Sequence, residues 1–294
     1  MNFLRKLFGG KAEPTEEEKK EAEARNFDVL KYDGVRAMRV GQWTYAVRCF
    51  RHALEIQEDL EIRDYLSQVL IRSDELLPAY EELRKLAEAR PDNQEVFVRM
   101  AHVAYMMENY QAMSDACEKA MLIDNNTPVV YYQYAQASHG MDDDVNAIAM
   151  LTRAISLQDD YADAYQLRGK VLLEMGDVEG AEKDAQWLME HLHDDEDVML
   201  MMASVKKGKS QPDEALLLYN KVIGLNPFNI EAYKARGELY LQQGNKEAAA
   251  KDAAKVLELD PKANDAISGN YSTEGIEQKV EQAYKNMDPY GVFS

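Results

Sequence analysis

From residue 27 onward, apolar and polar positions follow the period of an amphipathic α-helix, and no stretch shows the two-residue alternation of a β-strand. The apolar stretches come in pairs, each of about 13 residues and therefore about 20 Å long as a helix. Residues 11–25, by contrast, consist mainly of Glu, Lys and Ala and offer almost no large apolar side chain. The pattern predicts an all-α protein that follows a charged N-terminal tail.

A column of small residues recurs through the helical part. Its members are separated by 33 residues once and then by 34 residues five times in succession. They are Gly34, Ser67, Ala101, Ala135, Gly169, Ala203 and Gly237. A fixed period of this length indicates an array of similar units, each of which buries its apolar face against its neighbours.

The last unit, from Ile230 to Ala263, shows the pattern most fully. Its first helix carries an aromatic, a small and a second aromatic residue, and its second helix carries two alanines and a valine before a proline. In order, these residues are Tyr233, Gly237, Tyr240, Ala249, Ala253, Val256 and Pro261. This order resembles the tetratricopeptide repeat. The resemblance covers seven units from Phe27 to Ala263, and it implies an α-solenoid, a right-handed superhelix of helix-turn-helix units.

Two further columns agree with this register. Bulky residues stand in the first helices at Leu30, Phe97, Tyr131, Tyr165, Met199 and Tyr233. Alanines stand in the second helices, where close helix packing leaves no room for a longer side chain, at Ala46, Ala79, Ala147, Ala181, Ala215 and Ala249. The columns are broken by Arg63 and Met113, and the sixth unit has a polar segment from Lys206 to Ser210. The second and sixth units are therefore expected to be the least regular.

The predicted organisation is one elongated domain with two flanking segments. Residues 1–26 are expected to be a flexible charged segment, residues 27–263 the solenoid, and residues 264–294 a capping helix with a short apolar tail. The capping helix would place four apolar residues on one face to cover the end of the array. These are Ile276, Val280, Ala283 and Met287. The tail, Asp288–Ser294, either folds back on that helix or serves as a recognition motif.

Composition limits the partners and the compartment. The 294 residues carry a net charge of −19 and give a pI near 4.7, which disfavours binding to nucleic acid. Cys49 and Cys117 lie two units apart and are expected to be buried thiols of a reducing compartment. We find neither a run of about 20 apolar residues for a membrane span nor the apolar core of a secretory signal, so a cytoplasmic location is predicted.

The family resemblance implies that the first helices line a concave groove in which a peptide segment or a helix of a partner protein binds. Aromatic, amide and cationic side chains are suited to such a ligand, because rings provide contact area and the others pair with backbone groups. The candidate partner-binding residues are His102, Tyr105, Tyr132, Gln136, His139, Gln166 and Lys170. The alternative is that these are ordinary helix-surface residues.

A ridge of acidic residues is predicted to begin successive first helices. Its members are Asp28, Glu61, Glu95, Asp163, Asp197 and Glu231, and Val129 is the break. We call this set the acidic ridge. It has two interpretations, which are compatible: an edge of the groove that selects basic partners, or carboxylates that interact with the helix dipoles.

Several functional classes find little support. Some family members use Lys and Asn residues to clamp a chaperone's C-terminal carboxylate, but here Lys31 is followed by Val35 in place of the Asn, and a chaperone-tail adaptor is disfavoured. No phosphate loop, nucleophile elbow or zinc-protease motif occurs, and Cys117 stands in a core column, so no enzymatic activity and no cofactor are expected. The segments His191–Asp195 and Met141–Asp144 lack the ligand spacing of a metal site, and no metal is expected.

The N-terminal segment leaves one alternative open. Phe3, Leu4, Leu7 and Phe8 share a helical face, with Arg5 and Lys6 opposite, so the segment either contacts a membrane surface weakly, packs on the first repeat or stays flexible. The sequence therefore predicts a non-enzymatic scaffold or adaptor, with a membrane-peripheral assembly factor and a self-associating structural protein as alternatives.

Overall fold

The seven predicted helix pairs are present in the computed structural model, which describes residues 15–261. Up to Leu157 the chain forms one compact unit, and from Gln158 it forms a second. Unit 1 contains α1 (Glu16–Arg39), α2 (Trp43–Ile56), α3 (Leu60–Arg72), α4 (Leu76–Ala89), α5 (Gln94–Met106), α6 (Tyr110–Ile123), α7 (Pro128–Gly140) and α8 (Asp144–Leu157). Unit 2 contains α9 (Ala162–Glu174), α10 (Val178–His191), α11 (Glu196–Gly208), α12 (Pro212–Leu225), α13 (Ile230–Gln242) and α14 (Lys246–Leu259).

Each odd-numbered helix packs against the even-numbered helix that follows it, and each pair is one repeat. Within the described residues there is no strand, as the sequence predicts. No helix in this range is both long and apolar enough to cross a lipid bilayer. Three predictions concern residues outside the described range: the N-terminal segment with Phe3, Leu4, Leu7 and Phe8; the capping helix with Ile276, Val280, Ala283 and Met287; and the tail from Asp288 to Ser294.

The first helix begins earlier than the sequence analysis placed it. Thr15 accepts a hydrogen bond from the backbone N–H of Glu18 at 3.2 Å, and the Glu18 carboxylate accepts one from the backbone N–H of Thr15 at 2.8 Å. This reciprocal cap starts α1 at Glu16, eleven residues before Phe27. Glu, Lys and Ala are strong helix formers, so a stretch without an apolar core face still continues the helix. Residues 16–26, which the sequence analysis assigned to the charged N-terminal segment, are therefore part of α1.

The small-residue columns lie where the two helices of a repeat approach each other. All seven members of the first column are buried, and a Cβ added to Gly34 would lie 2.5 Å from Cε1 of Phe50. The six predicted alanines of the second helices have no solvent exposure. Met113 takes the alanine position in the third repeat and is equally buried. Pro91, Pro227 and Pro261 each follow the end of a second helix, as predicted.

The turn inside each repeat uses a left-handed backbone conformation at one position. These positions are spaced by 33 residues and then by 34, and they hold Gly41, Asp74, Glu108, Asp142, Gly176, Ser210 and Gly244. A residue with positive φ ends a helix by turning the chain away from the helix axis. Four of the seven turns use a residue other than glycine, at a conformational cost.

We expect Gly176→Ala to lower the free energy of unfolding by about 1 kcal/mol, because alanine disfavours positive φ. No atom lies within 4 Å of the added Cβ, so a steric clash cannot contribute. The matched control is Gly224→Ala, which has the same open surroundings but lies inside α12 and should raise stability by about 0.5 kcal/mol. Urea denaturation measures both changes. Equal effects of the two substitutions would contradict the proposed role of φ.

We expect Ala215→Leu to lower the free energy of unfolding by about 1–3 kcal/mol, because it overpacks a fully buried contact between helices. Leu217→Ala provides the comparison, since Leu217 lies on the same helix and is 70% exposed. Thermal melts of Ala215→Leu that match the wild type would show that the alanine column does not set the helix separation.

Candidate partner-binding site

Five of the seven predicted partner-binding residues lie on two neighbouring first helices of unit 1. His102 and Tyr105 are exposed on α5, whereas Tyr132, Gln136 and His139 are half-buried on α7. His102 and Gln136 occupy equivalent positions of consecutive repeats, as do Tyr105 and His139. Because α5 and α7 contact each other, these side chains form two adjacent rows on one face.

The row on α7 is held in place by hydrogen bonds. The Gln136 amide nitrogen lies 3.4 Å from the Tyr132 hydroxyl, to which it donates. His139 Nδ1 lies 2.7 Å from the Asp144 carboxylate at the beginning of α8. These bonds restrict the rotamers of the row, which reduces the entropy that a bound ligand would have to remove. The row therefore offers a tyrosine ring that is followed along α7 by two oriented polar groups.

The row on α5 is more exposed and contains the larger apolar surface. Tyr105 is 43% exposed and Met106, next to it, is 39% exposed. Rings of this kind are typical anchor sites for a protein ligand, because they bury much area with few rotatable bonds, and the flexible thioether of Met106 adds adaptable apolar surface. Tyr105 is the more exposed of the two tyrosines on this face.

A cluster of polar residues on α3 and α5 was missed by the sequence analysis. The Arg99 guanidinium lies 2.5 Å from the Asp64 carboxylate, and the Gln68 amide donates to the other oxygen of that carboxylate at 2.8 Å. The pair crosses from the second repeat to the third. No periodic signal marks Arg99, since its equivalents in neighbouring repeats are Tyr65 and Gln133.

The Lys31 ammonium forms ion pairs with two carboxylates of the next repeat. Its ammonium lies 2.6 Å from Glu61 and 3.3 Å from Asp59. The bond with Glu61 is the main reason why the pKa of Lys31 is raised, and the same bond, followed by one from the Tyr65 hydroxyl, lowers the pKa of Glu61. Lys31 is thus engaged within the protein.

In unit 2, Gln166 is half-buried on α9 and Lys170 is exposed four residues later. The Lys170 ammonium lies 3.8 Å from the Glu174 carboxylate, at the limit of an ion pair. Both residues lie on α9, within unit 2. Lys207 of α11 and Glu238 of α13, which the sequence analysis did not select, form a closer pair at 3.1 Å.

The polar segment Lys206–Ser210 does not interrupt the sixth repeat. Lys206 pairs with Glu214 at 3.0 Å, and Lys209 pairs with Glu182 at 2.6 Å. These bonds fix the C-terminal end of α11 to both flanking second helices. The sixth repeat is consequently as regular as the others in its helix lengths.

All six members of the acidic ridge are exposed. Five of them lie in the first turn of a first helix, where a carboxylate interacts favourably with the helix dipole. Asp28 does not, because α1 begins at Glu16, and the prediction that Asp28 begins a helix is wrong. Its position in the repeat is still that of the other five members.

The other candidate chemistries have structural explanations. The ring of His191 stacks on Trp187 at 4.0 Å, and Nδ1 bonds to the Trp187 carbonyl oxygen at 2.7 Å. Asp143 accepts a hydrogen bond from the Asn146 backbone N–H, which caps α8. Cys117 is 1% exposed, and burial raises its pKa to about 12.

The comparisons with known proteins agree with this geometry. A family model described as tetratricopeptide repeat matches residues 200–264. A crystal structure of a tetratricopeptide repeat protein from Parabacteroides merdae covers 88% of this chain and 99% of its own, with a TM-score of 0.68 and 13% identity. The protein thus has the tetratricopeptide-repeat fold. Its fold class is all-α, an α-solenoid of TPR helix pairs.

Two further comparisons are with a curated relative and with a solved structure. The human DnaJ homolog subfamily C member 3 is 21% identical over 249 residues, which are 82% of this chain and 46% of that protein. The chain thus spans about half the length of the curated relatives it matches. The crystal structure of YrrB, a TPR protein with an unusual peptide-binding site, covers 68% of this chain and 97% of its own, with a TM-score of 0.52 and 16% identity.

We expect neither cysteine to react with Ellman's reagent in the native protein at pH 8. Burial is the first cause of the raised pKa of both thiols, so the reactive thiolate is scarce, and Cys49 is only 4% exposed. In denaturant both thiols should react, giving two equivalents per chain. A thiol that reacts within seconds in the native protein would reopen the possibility of a nucleophilic cysteine.

Proposed function

We propose that this TPR protein is a non-enzymatic cytoplasmic scaffold or adaptor that binds a peptide segment or a helix of a partner protein. The proposed site is the face of α5 and α7 that carries His102, Tyr105, Tyr132, Gln136 and His139. The TPR fold supports a protein-interaction role in general, and the YrrB structure shows that another TPR protein has a peptide-binding site.

The observation that carries the proposal is the combination of an exposed ring with oriented polar groups on adjacent helices. Tyr105 offers apolar contact area on α5. The Tyr132–Gln136 pair on α7 and the pair between His139 of α7 and Asp144 of α8 present hydrogen-bonding groups at fixed places. An extended peptide has unpaired backbone N–H and C=O groups and alternate apolar side chains, so both kinds of surface would be used.

Gln166 and Lys170 belong to the proposal as a second contact region on unit 2. Lys170 is exposed, and its long ion pair with Glu174 contributes little, so its ammonium remains accessible to a ligand carboxylate or carbonyl. Binding to this region would be weaker and more sensitive to salt than binding to Tyr105, because it depends on exposed charge.

The proposal is tested with peptides selected on the wild-type full chain from a displayed random library. Tyr105→Ala should weaken binding of a selected peptide about 10- to 100-fold, which is the usual loss for an anchor residue. The double variant Tyr105→Ala/Tyr132→Ala should weaken it further. Isothermal titration measures the affinities, and circular dichroism checks the helix content of each variant.

The matched control is Leu122→Ala, since Leu122 is 87% exposed but lies on the second helix α6. Its affinity for the peptide should equal that of the wild type. Selected peptides that bind the folded double variant as tightly as the wild type would place the interaction surface elsewhere and refute the proposed site.

A further inference from the structure

The first repeat exposes a position that is buried in the repeats that follow. This position is the third residue of the repeat. In the later repeats of unit 1 it is at most 2% exposed, and the residues there are Ile62, Val96 and Val130. The helices of the preceding repeat pack over these residues. Val29, the member in the first repeat, is 56% exposed, and Tyr32, one turn further along α1, is 68% exposed.

A carboxylate without an ion pair lies on the same face. Asp33 is four residues after Val29 and therefore shares its side of α1. It is half-buried, and among residues 15–261 it forms no ion pair, although its charge helps to raise the pKa of Tyr45 and Cys49 on α2, which Arg48 opposes. A ligand for this face should therefore combine apolar side chains with a cation. We call Val29, Tyr32 and Asp33 the leading face.

The leading face does not fit another complete repeat. One turn beyond Asp33 stands exposed Arg36, at a position where Val69, Val103 and Ala137 of the later repeats have no solvent exposure. A full helix pair stacked on α1 would bury the Arg36 guanidinium at a large desolvation cost unless it supplied a carboxylate. A short segment that covers only Val29 and Tyr32 leaves Arg36 in solvent.

The N-terminal segment has the required length and chemistry. Phe3, Leu4, Leu7 and Phe8 supply the apolar face, and Arg5 and Lys6 supply the cations. Glu16 and Val29 are about 20 Å apart along the helix axis, from the rise per residue of an α-helix. The six residues 9–14 reach about 20 Å when extended, and Gly9, Gly10 and Pro14 favour a reversal of direction.

We propose that residues 3–8 fold back along α1 of the same chain and cover the leading face. The apolar side chains pack on Val29 and Tyr32, and Arg5 or Lys6 pairs with Asp33. The segment thereby covers apolar side chains at a position that stacking buries in the other repeats of unit 1. A second copy of the chain and a membrane surface are the competing occupants.

The test is a photo-cross-link in the full chain, with p-benzoylphenylalanine in place of Tyr32. After irradiation, mass spectrometry of a digest should find the cross-link on residues 1–11 in at least half of the cross-linked product. When heavy-isotope and light-isotope chains are mixed in equal amounts, each cross-link should join two peptides that carry the same isotope. The matched control carries the same probe in place of exposed Leu122 and should give no cross-link to residues 1–11.

A tethered but unbound segment would also pass near Tyr32, so a second variant is needed. Leu4→Asp/Leu7→Asp should lower the cross-link yield at least fivefold, with circular dichroism unchanged, because it removes the apolar contact but keeps the tether. A yield that does not change would overturn the proposal. Mixed-isotope products would assign the face to a second copy, and loss of the cross-link together with flotation on phosphatidylserine vesicles would assign the segment to membrane.

Discussion

The close approach of the two helices within each repeat is the constraint on which the rest of the structure depends. Backbones can pack at the short end of the helix-packing range only where side chains are small, and the two columns of Gly, Ala and Ser supply this at a fixed spacing in every repeat except the third, where Met113 takes the alanine position. Phe50 shows how little room remains, because its ring occupies the space that a Cβ on Gly34 would take. The recurrence of these columns lets the next pair stack in the same register, so equivalent residues are brought to the same face.

This register brings residues that are distant in sequence onto one surface. His102 and Gln136 are 34 residues apart, yet they lie side by side because α5 and α7 have equivalent places in consecutive repeats. The same register explains why polar bonds join neighbouring repeats, as with Arg99 and Asp64 or Lys31 and Glu61. A peptide on this face would meet groups that are already oriented by such bonds, which lowers the entropic cost of binding.

The sequence predicts the parts of the structure that depend on packing, and it misses those that depend on polar geometry. The buried columns, the helix pairs and the core position of Cys117 follow from periodicity alone. The early start of α1 was missed because a capping box with good helix formers needs no apolar stripe. The buried pairs Arg168–Asp184 and Arg236–Asp252, each bidentate, were missed because a charge in a core column looks like an interruption until its partner is located.

The acidic ridge shows that a carboxylate can serve the stability of its own helix. Charge alone therefore does not identify a residue that acts on a partner. Five members gain stability from the dipole of the helix they begin, so their presence is explained without any ligand. Glu61 is in addition neutralised by Lys31 and bonded by Tyr65. Asp28 gains nothing from the N-terminus of α1, which lies twelve residues away, and it forms no ion pair within the described residues. Of the six members, Asp28 is therefore the one whose place the helix dipole does not explain.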